Sequence, residues 1–127
     1  MRLLLLADSH GKEMRPVISG QARLLDPPLC IEQYHVVRGR SIEIIRGDFR
    51  RQLAEIVAFR PDHVLVHAGH NNMVQHNVFN RNPLFITAVV HMLLELVVEV
   101  RATFPVAKIF ISTLYGSQVF REVCHLG

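Results

Sequence analysis

Three short polar turns carry the residues that could do chemistry: Asp8-Ser9-His10-Gly11, Arg38-Gly39-Arg40-Ser41 and Gly69-His70-Asn71-Asn72. Acyl transfer through serine needs a hydroxyl nucleophile, a base to take its proton, and donors for the oxyanion that develops on the carbonyl oxygen. Ser9 has the hydroxyl, and its own backbone N–H is a donor. Gly39 offers a second N–H with no side chain in the way, and the Asn71 amide offers a third. Each such donor is typically worth ~3 kcal/mol to an oxyanion transition state. Asp8, His10 and His70 flank these groups and are read as rim residues that contact a substrate without holding a metal.

The elements before these turns decide whether they can meet. Leu3 to Ala7 is an unbroken apolar run, the pattern of a short strand buried on both faces. Cys30 to Val37 is a second strand, rich in β-prone residues. His63 to Ala68 is a third, and Lys108 to Leu114 a fourth. A helix is expected from near Ser9 past Pro16. Another is expected within Ile42 to Phe59, with Gly47 and Asp48 marking its start and Asp48 its cap. Leu84 to Phe104 is a long helix with a broad apolar stripe, ended by Pro105. Tyr115 to Gly127 has no clear assignment. Strands alternating with helices imply a parallel sheet with right-handed crossovers. In such a sheet the three polar turns share the carboxyl rim, where open α/β sheets place their ligands.

Length and composition narrow the class. At 127 residues the chain is one domain, and half of it is hydrophobic, so disorder is not expected. The net charge is +3, and twelve of the fourteen basic residues are arginine. Arg38, Arg40, Arg46, Arg50, Arg51 and Arg60 read as a solvated helix face. Only Phe49 and Phe59 fall among them, too few for an aromatic platform, so a nucleic-acid partner is not expected. Cys30 and Cys124 are far apart and read as reduced thiols. The N-terminal apolar run is shorter than a secretory signal, and Leu84 to Leu94 is too short to span a bilayer. The expectation is a soluble, cytoplasmic chain without a signal peptide.

With these residues in place, the sequence resembles the SGNH family of GDSL-type serine esterases and acylhydrolases. The family's Gly-Asp-Ser block after the first strand is matched by Ala7-Asp8-Ser9, and its lone glycine after the second strand by Gly39. Its Gly-x-Asn-Asp block after the third strand is matched by Gly69-His70-Asn71-Asn72, with asparagine in place of the aspartate. The resemblance covers residues 2 to about 117. It implies a three-layer, flavodoxin-like parallel sheet with strand order 2-1-3-4-5. It also implies Ser9 as nucleophile, with Ser9, Gly39 and Asn71 as oxyanion hole. No cofactor or metal is implied, and the partner would be a small-molecule ester or acylated substrate.

The family's last block, Asp-x-x-His, supplies the base and the acid that orients it. Glu122-Val123-Cys124-His125 has that form but comes only a few residues after the fourth strand. His125 is therefore the candidate base and Glu122 its orienting acid, against the plainer reading of an ordinary tail histidine. The resemblance then implies a copy truncated or divergent at its C-terminus, lacking the last strand. Two other readings compete. One is a catalytically inactive SGNH-like binding module that keeps the rim. The other is a calcineurin-like metallophosphoesterase, suggested by Asp8-Ser9-His10-Gly11 and by eight histidines, although the chain's one Gly-Asp, Gly47-Asp48, falls in a helical pattern and the Gly-Asn-His block such a two-metal site requires is absent.

Overall fold

The computed structural model describes residues 1–8, 15–28, 30–69, 72, 83–112 and 120–122. Strand β1 (Arg2–Ala7) lies between β2 (Gln33–Arg38) and β3 (His63–His67), and β4 (Lys108–Ser112) pairs with the far side of β3. These four strands are parallel, in the order 2-1-3-4. Three residues, Phe120–Glu122, form β5, which adds to the outer edge of β4 in the antiparallel sense. The fold is thus α/β, with a four-stranded all-parallel sheet and one short antiparallel edge strand.

Alternation along β1 sends its side chains into two cores. Leu4 and Leu6 join Val64, Val66 and Ile109 beneath Ile42, Ile45, Phe49, Ile56, Leu96 and Val100. These come from α2 (Ile42–Arg51), α3 (Leu53–Phe59) and α4 (Pro83–Thr103). Leu3, Leu5, Ala7 and Leu65 face the other way, onto Ile18 of α1 (Arg15–Arg23). Helices therefore cover both faces, an arrangement compatible with three layers. Leu4, Leu5, Leu6 and Ala7 are all fully buried, as a strand without polar breaks requires.

Several boundaries differ from those expected. α1 is described only from Arg15, with Pro16 in its first turn, where the missing N–H costs nothing. α2 begins at Ile42, not at Asp48: Ser41 caps it, its Oγ accepting from Ile44 N at 3.3 Å. Asp48 instead pairs with Arg51 one turn on, at 2.7 Å. Gly47 stays inside the helix because Ile42, Ile45 and Phe49 bury their side chains around it, outweighing the ~1 kcal/mol a helical glycine costs. Gln52 splits the expected single helix into α2 and α3. The third strand, expected to reach Ala68, ends at His67; the fourth is described to Ser112, and Thr113 and Leu114, where it was expected to run on, lie outside the described residues.

Outside the sheet, α2 and α4 are braced by charge. Arg46 donates to Glu95 at 3.0 Å and to Glu99 at 2.9 Å, and Arg50 donates to Glu99 at 2.5 Å. Among the described residues no helix is long and apolar enough to cross a membrane.

Candidate functional site

The parallel register brings the three polar turns to one rim. Ala7 is aligned with Arg38 on one side and with His67 on the other. Asp8, Gly39 and Ala68 therefore leave the sheet as immediate neighbours. The ladder runs one step further: Asp8 N–H donates to His67 O at 3.0 Å, and Gly39 N–H donates to Ala7 O at 3.2 Å. Asp8 is buried at the foot of its turn. Ser9, His10, His70, Asn71 and His125 lie outside the described residues.

Each of the two glycines at this rim has a local cause. Gly69 has φ 110°, a left-handed conformation that side chains strongly disfavour, so the loop after β3 needs glycine to turn. At Gly39 the constraint is space. A Cβ there would sit 2.8 Å from Ile44 Cγ2 and 2.9 Å from Ile45 N, inside the first turn of α2. Gly39 thus lets α2 start directly against the end of β2. Its N–H, expected as an oxyanion donor, is committed to Ala7 O in this structure.

The loop after β3 is tied to the same helix. Asn72 is 1% exposed, and its Oδ1 accepts from Ile42 N at 3.0 Å. Its Nδ2 donates to the Glu43 carboxylate, 3.3 Å from Oε1 and 3.2 Å from Oε2. Both ends of the Asn72 amide are occupied. Ser41, Glu43 and Asn72 form a frame that the sequence reading did not single out. The one legible signal was Ser41 ahead of an apolar helical pattern, the usual position of an N-cap.

The structure does not bring Glu122 to this rim. Phe120 pairs with Ser112 at the carboxyl end of β4, but Glu122 pairs with Phe110, which lies level with Leu65 and Leu5. β5 therefore runs from the rim toward the amino-terminal edge of the sheet. Glu122 stands two residues below Ala7, at a different level from the turn it was expected to serve.

Two carboxylates with lowered pKa values lie elsewhere among the described residues. Partial burial pushes the Asp62 carboxyl up, but hydrogen bonds from His63 and from Arg2 N–H, at 2.7 and 2.9 Å, outweigh it and hold the carboxyl below its ordinary value. Glu99 behaves likewise: burial raises it, and Arg50 and Arg46 bring it below the usual glutamate range. Among the described residues no three His, Cys, Asp or Glu side chains stand close enough to hold a metal ion. Between α1 and the sheet, an apolar void of about 20 Å³ lined by Leu3, Ile18, Leu65 and Phe110 has room for one water at most, so it is a packing gap.

Comparison of the chain with protein-family models, with curated proteins and with solved structures finds no match.

Proposed function

We propose that this domain is an ester or acyl hydrolase of the SGNH type, with Ser9 as nucleophile. The observation that carries this reading is the register that aligns the ends of β1, β2 and β3, so that the turns bearing Ser9, Gly39 and Asn71 leave the sheet side by side. Attack of the Ser9 hydroxyl on an ester carbonyl, with the candidate base His125 taking the hydroxyl proton and passing it to the departing alcohol, would move charge onto the carbonyl oxygen. The Ser9 N–H and the Asn71 amide would receive it, and the Gly39 N–H would join them by leaving Ala7 O. Loss of the alcohol would leave an acyl-enzyme, which water then hydrolyses.

A second reading is favoured by one observation. β5 carries Glu122 away from the rim, so an acid–histidine pair built on Glu122 and His125 has its acid at the wrong level of the sheet. A serine site without its base keeps only residual activity, and the domain would then serve as a binding module for acylated ligands.

Incubation with p-nitrophenyl acetate and with a fluorophosphonate probe separates the two. Turnover together with labelling of Ser9, both lost in Ser9→Ala, supports the hydrolase. Absence of both supports the binding module. Turnover that survives Ser9→Ala refutes Ser9 as nucleophile.

A further inference from the structure

The pattern Gly69-His70-Asn71-Asn72 departs from the family's block at its last position, and Glu43 provides a physical reason. Oδ1 of Asn72 accepts from Ile42 N at 3.0 Å, and Nδ2 faces the Glu43 carboxylate at 3.2 and 3.3 Å. An aspartate could still accept from Ile42 N, but its second oxygen would meet Glu43 at that same separation, carboxylate against carboxylate. Like charges so close are strongly unfavourable. Asparagine turns the same contact into a donor–acceptor pair. Because Asn72 is 1% exposed, its amide has no water to fall back on if either partner is lost.

We propose that Asn72 is a positioning residue of the site: its amide, oriented by Glu43, ties the loop after β3 to the first turn of α2 and so fixes the adjacent Asn71. The inference rests on the hydrolase reading for what Asn71 does. For how the loop is held, it rests on the observed contacts alone. The tether spans 30 residues of sequence from Asn72 to Ile42 and joins two of the three turns on the rim. The third turn is joined to the others by the sheet itself, through Asp8 N–H to His67 O and Gly39 N–H to Ala7 O. Without Asn72, nothing among the described contacts pins the far end of the β3 loop to α2. A loosened loop would no longer hold the Asn71 amide at the place an oxyanion donor needs. A displacement of about 1 Å can cost about a hundredfold in rate.

Four variants test this: Asn72→Ala, Asn72→Asp, Glu43→Gln, and Asn72→Asp combined with Glu43→Gln. Glu43→Gln keeps an acceptor for Asn72 Nδ2 and should leave kcat within about threefold of the parent. Asn72→Asp should lower kcat by about tenfold to a hundredfold with KM little changed. The double variant restores the bridge with donor and acceptor exchanged: the amide introduced on α2 now donates to the carboxylate introduced in the β3 loop. It should recover most of the lost kcat. A residue that merely stabilised α2 would lower the melting temperature without this kcat-specific loss and rescue. Full kcat in Asn72→Asp overturns the proposal, as does a double variant no better than Asn72→Asp. If the parent turns over no ester and takes no probe, the hydrolase reading fails separately, and hydrogen exchange decides the tether. Faster exchange of the Ile42 amide and of residues 69–72 in Asn72→Ala supports it, and unchanged exchange overturns it.

Discussion

Replacing Gly39 by alanine tests whether this glycine serves close packing. Its φ is not in the left-handed region, so alanine carries no conformational penalty there. The cost comes from the new Cβ, placed 2.8 Å from Ile44 Cγ2, 2.9 Å from Ile45 N and 3.1 Å from Ile44 Cβ. The Ile44 side chain is 46% exposed and can swing aside. Ile45 N cannot: it donates to Ser41 O at 3.0 Å, and the Ile45 side chain is fully buried. The start of α2 must therefore shift. Overpacking of this kind costs about 1–3 kcal/mol, and the reduced freedom of the unfolded chain returns about 0.4–1 kcal/mol. A net loss of about 1–2 kcal/mol corresponds to a melting temperature lower by about 4–8 °C in a domain of this size. Thermal unfolding followed by circular dichroism reads this directly. Adding Ile44→Ala should recover only part of the loss, because the backbone contact with Ile45 N remains. A Gly39→Ala melting temperature within about 1 °C of the parent would refute the packing argument.

Two further outcomes follow from the frame. Ser41→Ala removes the acceptor for Ile44 N and should cost about 1 kcal/mol, measured as a lower urea midpoint with an unchanged slope. Glu99 has a lowered pKa, so its contribution to stability is fully present above the unfolded value of about 4.3 and disappears as pH falls through the lower folded value. Asp62 acts in the same direction. The urea midpoint should therefore fall below about pH 4, and Glu99→Gln should flatten that fall; identical pH profiles for parent and variant would count against the Arg46–Glu99–Arg50 brace.

The parts of the fold legible in the sequence are those set by unbroken patterns. Leu3 to Ala7 could only be a buried strand, and the third strand, read as His63 to Ala68, is found one residue shorter, its apolar residues standing between His63 and His67. The long apolar stripe of α4 is bounded by Pro83 and Pro105, which place its ends to within a residue or so. The start of α2 is harder to read, because Gly47 and Asp48 look like a boundary when the burial of Ile42 and Ile45 is not known, and they obscure the cap signal of Ser41. The break at Gln52 has no sequence signal at all. Three residues, Phe120 to Glu122, are too few to show a period of two, so nothing in the pattern revealed an edge strand or its antiparallel sense.

The candidate site divides along the same line. Turn residues at strand ends are visible because glycine and serine interrupt apolar runs, and a parallel sheet then requires those ends to meet. What holds the turns in register is a tertiary matter. Asn72 and Glu43 are 29 residues apart, and neither is informative alone: one is a departure from a block, the other an exposed acid in a first helical turn. Together they explain each other, since a carboxylate at either position dictates an amide at the other. The acid–x–x–histidine near the C-terminus shows the converse. Its spacing matched a catalytic block, but spacing does not specify strand direction, and an antiparallel β5 sets Glu122 level with Leu5 and not with Ser9's turn. A motif at the end of a strand is therefore informative about a site only once that strand is known to run toward it.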